Sequence, residues 1–312
     1  MVVTHGSVAA SRGRVALTVG NFDGVHRGHQ AMLEWLVAKA RELGLPSGAL
    51  TFEPHPREFF SPASAPARLT RLREKLERMA AAGVERVHVA RFDGRLAAMP
   101  AERFVEDILV RALGARWLLV GHDFRFGAKR GGDFALLESA GRRLGFGLEA
   151  MPEVRLDGER VSSSAVRAAL DAGELERAAR LLGRSYSISG RVAHGAKLGR
   201  SLGFPTANIV LPRRPPLAGV YVIECCGADS GDALRWLPGV ASVGRRPTVN
   251  ELVAPLLEVH LFDFEAALYG RHLKVRFLAK LRDEAKYPDL GELREAIARD
   301  VAQAKEYFSE HG

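Results

Sequence analysis

The chain has 312 residues, of which 47% are hydrophobic and 26% are charged, and its net charge is +8. This length predicts two domains with substantial cores, and the composition is ordinary for a soluble globular protein. We find no apolar run long enough to cross a membrane and no secretory signal in residues 1–13, which we expect to be a short frayed start; these features predict a cytoplasmic protein. The positive charge is mostly arginine scattered along the chain, which disfavours a nucleic-acid partner.

The two cysteines, Cys225 and Cys226, are adjacent. Neighbouring cysteines have poor geometry for a disulfide, and two thiols are too few for a zinc site. We therefore expect both cysteines to be small, buried or half-buried strand residues. We expect neither a zinc nor an iron–sulfur cofactor.

The stretch from residue 15 to residue 43 changes pattern twice. An apolar run at 15–19 predicts a buried strand, the glycine-rich residues 20–24 predict a tight turn, and apolar residues at helical spacing from 29 onward predict a helix. His26 and His29 lie at or just before the helix N-terminus, where unpaired N–H groups and the helix dipole favour an anion. Two imidazoles at this position predict a compact phosphate clamp.

The sequence His26-x-Gly28-His29 resembles the HxGH motif of the nucleotidylyltransferases, which transfer a nucleotidyl group and release pyrophosphate. The alternative is a structural turn, because two histidines near a glycine occur by chance. The strand and glycine turn that precede the motif favour the functional interpretation.

Strands and helices alternate through the first 150 residues. We expect strands at 47–52, 86–90, 116–120 and 146–150, and helices at 71–82, 100–114 and 131–144. This alternation predicts a parallel, doubly wound sheet. Two prolines force an extended loop at 53–56, and further polar loops follow the strands that end at 19 and 120. Ligands bind at the carboxyl ends of such strands, so the three loops predict one crevice.

A serine-rich segment at 162–164 precedes a short predicted helix. Serines cap helices, and their hydroxyls, the free N–H groups and Arg167 one turn later would also form a second phosphate clamp. Both interpretations are compatible.

The segments 20–26, 52–56, 121–127 and 162–167 together resemble the adenylyltransferase module of the bacterial bifunctional FAD synthetases. Ser164 stands where that family more often has threonine, which keeps the hydroxyl. The resemblance implies that His26, His29 and Arg167 stabilise charge on the α-phosphate and pyrophosphate. It also implies nucleotide or flavin contacts at Gly20, Asn21, Asp23, Gly28, Asp123, Arg160, Ser163 and Ser164.

Beyond residue 183 the periodicity changes. Short strands around 186–192, 220–225, 240–243, 257–262 and 273–278 predict an antiparallel, Greek-key-like barrel, and a helix over 290–308 follows it. We place the domain boundary here, with an adenylyltransferase domain at 1–183 and a second domain at 184–312.

Two features of the second half carry chemistry. The glycine-rich loop at 194–203, with Lys197 and Arg200, could wrap nucleotide phosphates, although a flexible surface loop has similar composition and the Walker A order is absent. Thr206 and Asn208 supply neutral oxygens of the kind that Mg²⁺–nucleotide accepts. Glu258 interrupts an apolar strand, which is costly unless the carboxylate is paired in a salt bridge or functional.

Residues 205–208 resemble the PTAN motif of the riboflavin kinase module, and 219–221, 244–248 and 257–264 resemble its later motifs. The resemblance implies that Thr206 and Asn208 bind Mg²⁺–ATP and that Glu258 is the base on the riboflavin 5′-hydroxyl. Ala196 departs from the aspartate that relatives often carry. The implied nucleotide or flavin contacts in the loop are Gly195, Lys197, Gly199, Arg200 and Gly203.

The two resemblances imply a bifunctional enzyme that makes FMN from riboflavin and ATP, and FAD and pyrophosphate from FMN and a second ATP, with Mg²⁺ accompanying ATP. The alternatives are another HxGH adenylyltransferase, a flavin- or nucleotide-binding regulator with one inactive half, and an RNA-binding protein. The oligomeric state stays open, and the only partners we expect are small-molecule substrates.

Overall fold

The computed structural model describes residues 1–6, 13–194, 199, 202–228, 235–244 and 254–311. The chain forms two compact units. The first comprises Met1–Pro66 and Thr70–Ser162, and the second comprises Ala67–Leu69 and Ser163–Gly312.

The first unit contains a parallel sheet of six strands in the order β1-β4-β3-β2-β5-β6. The strands are β1 Val2–Gly6, β2 Val15–Val19, β3 Ser47–Glu53, β4 Arg86–Arg91, β5 Ala115–Gly121 and β6 Gly147–Met151. The parallel sheet is confirmed, but the expectation of a frayed N-terminus was wrong. Strand β1 pairs along its whole length with β4, a partner more than 80 residues away that local sequence pattern does not reveal.

Helices cover both faces of this sheet. They are α1 Arg27–Glu42, α2 Pro56–Phe60, α3 Leu72–Ala81, α4 Gly94–Ala97, α5 Ala101–Arg103, which continues as a π-helix over Phe104–Ala112, and α6 Phe134–Leu144. In β2, Leu17 packs in one apolar cluster with Leu109 and Leu137, whereas its neighbour Ala16 packs in another with Leu33 and Leu36. Alternate residues of a strand point to opposite faces, so β2 is apolar throughout because both faces are covered. The doubly wound architecture is confirmed.

The segment after β3 is less extended than predicted. Helix α2 begins at Pro56, because a proline at the first helical position already has helical φ and needs no amide donor there. His55 caps this helix: its Nδ1 accepts from the Arg57 amide at 3.1 Å, and its own amide donates to Glu58 at 3.2 Å. The expected loop is therefore short and ends at His55.

The order of the strands reverses beside β2. The chain leaves β2 to build β3 and β4 on one side and then returns to place β5 on the other side. Ligands of open α/β sheets bind outside the carboxyl ends of the strands at such a switch point. The turn at 20–26 follows β2, and the loop at 122–127 follows β5, so both lie at this edge. An antiparallel hairpin, β7 Arg155–Leu156 and β8 Glu159–Arg160, completes the unit.

The second unit contains a closed antiparallel barrel in the order β10-β13-β12-β11-β14-β9. The strands are β9 Ser187–Ala193, β10 Ala207–Val210, β11 Gly219–Cys226, β12 Leu237–Gly244, β13 Leu256–Leu261 and β14 His272–Arg282. The antiparallel barrel is confirmed. The short strand β10 was not predicted, and it forms by pairing with both β9 and β13.

Two helices precede the barrel in this unit, α7 Ser163–Ala172 and α8 Leu175–Leu182. Helix α8 contacts β14, so both helices belong to the compact unit of the barrel although they precede residue 183. The functional boundary between residues 183 and 184 stays a prediction.

A long C-terminal helix, Leu290–His311, covers part of the outer face of the barrel. Ala304 packs in an apolar cluster with Val222 of β11 and Val240 of β12. Arg282, at the end of β14, donates to both carboxylate oxygens of the buried Asp300, at 2.8 and 2.6 Å, and this pairing raises the pKa of the arginine. This bidentate pair attaches the helix to the barrel beside the cavity described below.

Both cysteines lie buried and unpaired in β11, which confirms their prediction as strand residues. Burial raises the pKa of Cys225 to about 12. A thiol with so high a pKa carries little thiolate at neutral pH and is a poor nucleophile.

Candidate active sites

The turn after β2 has a strained backbone. Phe22 and Val25 have φ of 49° and 40°, a region that residues other than glycine rarely adopt, least of all a β-branched one. The buried carboxylate of Asp23 accepts a hydrogen bond from the Thr70 amide at 3.1 Å, and the Thr70 hydroxyl accepts one from the Gly24 amide at 3.1 Å. These bonds anchor the turn to the segment before α3. Strain maintained by its surroundings is characteristic of functional sites.

His26 and His29 are brought together at the N-terminus of α1. His26 is the N-cap residue: its Nδ1 accepts from the His29 amide at 3.3 Å, and the two imidazoles stack with their centroids 3.7 Å apart. Because Nδ1 accepts, the proton of neutral His26 is on Nε2. The cap therefore leaves Nε2–H of this buried ring as a hydrogen-bond donor at the helix N-terminus. Anions bind favourably at a helix N-terminus.

The electrostatic environment of His29 favours its neutral form until an anion arrives. Burial is the main cause that lowers the pKa of His29 well below 6.5, and the nearby His26 and Lys75 lower it further. Among the described residues, neither Nδ1 of His29 nor Oδ1 of Asn21 has a hydrogen-bond partner, although both atoms are buried. Unsatisfied buried polar atoms are costly, so one in the turn and one at the start of α1 indicate groups poised for a ligand.

Glycines allow the close packing of this turn. A Cβ on Gly28 would lie 3.2 Å from Nδ1 of His26 and 3.4 Å from the Val161 carbonyl oxygen. A Cβ on Gly20 would lie 3.2 Å from the ring of Phe22. Both positions predicted from the motif therefore have a steric reason to be glycine, while their contacts with nucleotide stay predictions.

Sequence analysis missed Lys75 in this site. Lys75 is 6% exposed and lies on the face of α3 that also carries Leu72, Leu76 and Met79. The sequence did contain a signal for this residue. The spacing of the neighbouring apolar residues predicts a hydrophobic residue at this position of an amphipathic helix, and a lysine occupies it instead.

Asp123 and Arg160 meet at the same edge of the first unit. Nη2 of Arg160 donates to Asp123 at 2.6 Å, and Arg160 also contacts Glu153 at 3.3 Å. The arginine lowers the pKa of Asp123, chiefly through this hydrogen bond. Both side chains are substantially exposed, so they can reach a ligand in the crevice.

Four phenylalanines form a partly exposed cluster that the sequence did not predict: Phe52 near the end of β3, Phe59 and Phe60 of α2, and Phe92 after β4. Phe59 and Phe60 of α2 pack edge-on against Phe92 with centroids 5.6 and 5.7 Å apart, and Phe52 packs against Phe92 at 5.9 Å. Phe60 is 63% exposed. Exposed aromatic surface beside a crevice indicates a place for a planar apolar group.

Ser163, Ser164 and Arg167 lie in the second compact unit, whereas Ser162 is the last residue of the first unit. Ser163 begins α7 and Ser164 is exposed on its first turn. Nε of Arg167 donates to the carbonyl of Ala67 at 2.6 Å, so one of its donors is engaged with the backbone of this unit. The role of these residues opposite the histidines stays a prediction.

In the second unit, Glu258 of β13 lies opposite Asn208 of β10 and Ser242 of β12. Opposed residues of antiparallel strands share one face, with Cβ atoms about 5 Å apart. On this outer face Asn208 is only 8% exposed, and its Oδ1 has no hydrogen-bond partner among the residues that the structure places. The neighbouring residues Leu257 and Val259 instead point into the barrel core.

A cavity of about 210 Å³ opens over this face. Its lining includes Thr206, Ser242, Glu258 and His260 from the barrel side and Asp300 from the C-terminal helix. The cavity thus combines a carboxylate, hydroxyls and apolar walls. Nδ1 of His260 lies 2.9 Å from the Pro205 carbonyl oxygen, which holds the segment that leads into β10.

The glycine-rich loop is only partly described. A Cβ on Gly199 would lie 2.4 Å from the Phe204 carbonyl oxygen and 3.1 Å from the Thr206 hydroxyl, so Gly199 packs directly on the segment that carries Thr206. Gly203 has φ of +90° in the intervening turn. The predicted contacts Gly195, Lys197 and Arg200 lie outside the described residues, as does the end of the 244–248 motif.

Comparisons with known proteins match both halves. A family model for FAD synthetase matches residues 8–165, and one for riboflavin kinase matches residues 182–308. A bifunctional riboflavin kinase/FMN adenylyltransferase of Escherichia coli K12 is 48% identical over 97% of this chain and 96% of its own length. Its counterpart from Pseudomonas fluorescens is 51% identical over 94% of this chain and 93% of its own. The chain belongs to the bifunctional riboflavin kinase/FMN adenylyltransferase family.

The predicted family and the predicted bifunctional enzyme of flavin cofactor synthesis are therefore confirmed. Among solved structures, a Streptococcus pneumoniae protein described as a macrolide-efflux protein aligns with a TM-score of 0.79 and 26% identity over 96% of this chain and 97% of its own. That alignment covers both units of the fold.

Within the described ranges, we find no helix that is long and apolar enough to span a membrane. The same part of the chain holds no group of three or more His, Cys, Asp or Glu side chains arranged to bind a metal. Enzymes of the two matched families use ATP, typically with a divalent metal.

The close packing at Gly28 yields a test of the histidine geometry. In Gly28→Ala, the added methyl group must displace the His26 ring by a few tenths of an ångström. We expect FAD formation to fall about tenfold, because small misplacements of catalytic groups are expensive. Chromatographic measurement of FAD formed from FMN and ATP checks this.

Gly94→Ala is the matched control, because a Cβ at Gly94 meets no atom within 4 Å. Riboflavin phosphorylation should be unchanged in both variants. Normal FAD formation by Gly28→Ala would show that the position of the His26 ring does not matter to the reaction.

Proposed function

We propose that the turn after β2 is the site that adenylylates FMN, and that the outer face of the barrel beside Glu258 is the site that phosphorylates riboflavin. The stacked His26 and His29 at the N-terminus of α1 support the first assignment. The position of Glu258, which lines the cavity and lies opposite the buried Asn208, supports the second. Incubation with riboflavin and Mg²⁺–ATP, followed by chromatography for FMN and FAD, tests both activities together.

In adenylyl transfer, a phosphate oxygen of FMN bonds to the α-phosphorus of ATP as the bond to the pyrophosphate oxygen breaks. Negative charge grows on the departing pyrophosphate and on the oxygens of the α-phosphate. Nε2–H of His26, the imidazole of His29 and the N-terminus of α1 are donors directed at this charge, and preorganised donors are effective because they need no rearrangement during the reaction. Arg167 is assigned to the same charge, and the exposed pair Asp123 and Arg160 to contacts with the substrates.

The exposed phenylalanines offer a surface for the flavin ring of FMN in this unit. The isoalloxazine ring is planar and largely apolar, and aromatic side chains stack well on such rings. Phe60 is the most exposed of the four phenylalanines, and the cluster follows β3 and β4 at the carboxyl edge that carries the histidines. FMN would thus have its ring on the aromatic cluster and its phosphate near the turn.

We expect Phe60→Ala to raise KM for FMN in FAD formation about fivefold, because loss of an aromatic stacking partner costs about 1 kcal/mol. Leu43→Ala, at another exposed apolar residue of the first unit, is the control and should leave KM unchanged. Steady-state kinetics with varied FMN decides the matter. An unaltered KM for FMN in Phe60→Ala places the flavin ring elsewhere.

In riboflavin phosphorylation, Glu258 accepts the proton of the 5′-hydroxyl as the hydroxyl oxygen bonds to the γ-phosphorus of ATP and ADP leaves. Thr206 and Asn208 would hold Mg²⁺ with the nucleotide. Neutral oxygens beside phosphates and waters fit the preferences of Mg²⁺, and the buried Oδ1 of Asn208 is the acceptor that awaits a partner. When bound, the metal neutralises charge on the transferred phosphoryl group.

The variant Glu258→Gln tests this assignment. The swap preserves size and removes the base, so kinase turnover should fall about a hundred- to ten-thousandfold. FAD formation from added FMN should persist, because its site lies in the other unit. Turnover with riboflavin, turnover with FMN and the melting temperature are measured on one preparation.

Glu224→Gln provides the matched control, since Glu224 is another strand glutamate of the barrel and pairs with Arg276 at 2.5 Å. It should keep normal kinase turnover. A Glu258→Gln protein with a lower melting temperature but normal turnover per folded molecule would identify Glu258 as a structural residue instead.

The two activities are proposed to separate along the chain, as domains 1–183 and 184–312. A fragment that starts at residue 185 should phosphorylate riboflavin and make no FAD. A fragment that starts at residue 163 should do the same with a higher melting temperature, because it retains α7 and also α8, which contacts β14. FAD synthesis by either fragment would overturn the domain assignment.

A regulator with one inactive half would bind flavin or nucleotide without turnover in the corresponding assay. A cytoplasmic location and the absence of a nucleic-acid partner stay predictions, and the oligomeric state stays open.

A further inference from the structure

A hairpin after β6 presents two arginines side by side. Its strands β7 and β8 are joined by Asp157 and Gly158, whose φ of 50° and 79° fit the two-residue turn that best matches the twist of paired strands. Arg155 lies directly opposite Arg160 in this pairing. Like charges opposite each other destabilise a pair of strands, so the arrangement calls for a compensating group.

Glu153 compensates both arginines. Its Oε2 accepts from Nη2 of Arg155 at 3.1 Å, and its Oε1 lies 3.3 Å from Nη1 of Arg160. Arg155 is fixed further, because its Nη1 donates to the Gly158 carbonyl oxygen at 3.1 Å. The carboxylate therefore bridges two like charges and holds one edge of the Arg160 guanidinium.

The other edge of the Arg160 guanidinium meets the loop after β5. Its Nη2 donates to Oδ2 of Asp123 at 2.6 Å. A guanidinium is planar and its donors are fixed relative to one another, so the contact of Glu153 with Nη1 orients Nη2. Fixing a free arginine side chain also costs rotamer entropy, and a side chain that Glu153 already holds loses less of it on pairing with Asp123.

Stability of the fold does not explain these contacts. The side chains of Asp123, Glu153 and Arg160 are 66%, 41% and 47% exposed, and ion pairs so exposed contribute little to folding. The hairpin is already closed by its turn and by the bond from the Val161 amide to the Val154 carbonyl oxygen at 2.9 Å. Two carboxylates on one exposed guanidinium therefore indicate control of its direction.

The hairpin also leads directly to the histidine motif. Val161, which follows Arg160, is buried, and its carbonyl oxygen would lie 3.4 Å from a Cβ on Gly28. The same Cβ would lie 3.2 Å from Nδ1 of His26. The residue that carries the guanidinium is thus next in the chain to one that packs against the proposed adenylyl-transfer site.

We propose that Glu153 is a positioning residue of the adenylyl-transfer site: its bridge between the hairpin arginines keeps the Arg160 guanidinium on Asp123, where it contacts ATP. This inference rests on the proposed assignment of Asp123 and Arg160 to substrate contacts. The strand order favours ATP as that substrate. The aromatic cluster proposed for the flavin ring follows β3 and β4, whereas Asp123 follows β5 on the other side of β2. Glu153 acts through Arg160 and does not itself touch a substrate.

The experiment compares Glu153→Gln, Arg160→Met and the wild-type protein as full chains. In Glu153→Gln we expect KM for ATP in FAD formation to rise about three- to fivefold, the effect of one exposed ion pair, with kcat and KM for FMN unchanged. Arg160→Met should raise KM for ATP by at least as much. The melting temperature and riboflavin phosphorylation should change little. Glu138→Gln removes another exposed glutamate that pairs with an arginine, Arg142 at 3.5 Å, and is the matched control that should keep every value.

An NMR titration of the Asp123 carboxyl gives a readout that a structural role would not move. The Arg160 guanidinium lowers the pKa of Asp123, chiefly through the hydrogen bond between them. If Glu153 positions this guanidinium, its loss weakens that bond, and the pKa of Asp123 rises in Glu153→Gln. If Glu153 acts only as a nearby negative charge, its removal lowers the pKa of Asp123 instead. A fall in this pKa, or no change, refutes the positioning role.

Two further variants separate this inference from the proposed function. Normal FAD formation in His29→Ala would refute the assignment of the adenylyl-transfer site, and a normal KM for ATP in Arg160→Met would refute the contact of Arg160 with ATP. If Arg160→Met raises KM for ATP and Glu153→Gln does not, the assignment of Arg160 stands and the role of Glu153 is refuted. A lower melting temperature of Glu153→Gln with an unchanged KM for ATP refutes it as well.

Discussion

The hydrogen bond from the His29 amide to Nδ1 of His26 is the contact on which the proposed adenylyl-transfer site of the first unit depends. It caps α1, selects the tautomer that leaves Nε2–H as a donor, and holds the two rings in a stack. His26 directly follows a turn whose backbone is strained at Phe22 and Val25. The hydrogen bond to the buried Asp23 helps to hold the turn in this conformation. A stable doubly wound core thus supports a small, locally unfavourable arrangement at its edge.

The two units carry the groups for the two proposed reactions in different arrangements. In the proposed adenylyl-transfer site, donors surround the place where negative charge would develop, because the nucleophile would be an anionic phosphate. In the proposed kinase site, the nucleophile would be a neutral hydroxyl that must lose a proton, and Glu258, which lines the cavity, lies opposite Asn208 on one face of the barrel. The C-terminal helix helps to enclose that cavity and is tied to the barrel by Arg282 and Asp300.

Unsatisfied buried polar atoms occur at both assigned sites. Oδ1 of Asn21, Nδ1 of His29 and Oδ1 of Asn208 are buried without hydrogen-bond partners among the described residues. Each is costly to the free protein, and each lies where a phosphate or a metal–nucleotide complex is assigned. Such atoms are characteristic of sites where stability is given up for binding.

Local pattern in the sequence was sufficient for the parallel sheet, the antiparallel barrel and the positions of the two histidines and Glu258. These features follow from the short-range periodicity of apolar residues and from the glycines that mark the turns. Strands β1 and β10 escaped prediction because they are stabilised by pairing with distant strands. Helix α2 escaped prediction because Pro56, which we had expected to extend the loop, begins a helix that His55 caps.

The amino-acid sequence by itself determined which chemical groups each half carries, and therefore the family. Only the tertiary structure decided which of these groups meet. Parallel pairing of β2 with β3, and the reach of α3 across β3, bring Lys75 to Thr51 and His29, although neither is near it in the chain. Antiparallel register places Asn208 opposite Glu258, a 50-residue separation that no local pattern encodes. Contacts between distant segments depend on topology and register, and these are set by the burial of the whole core.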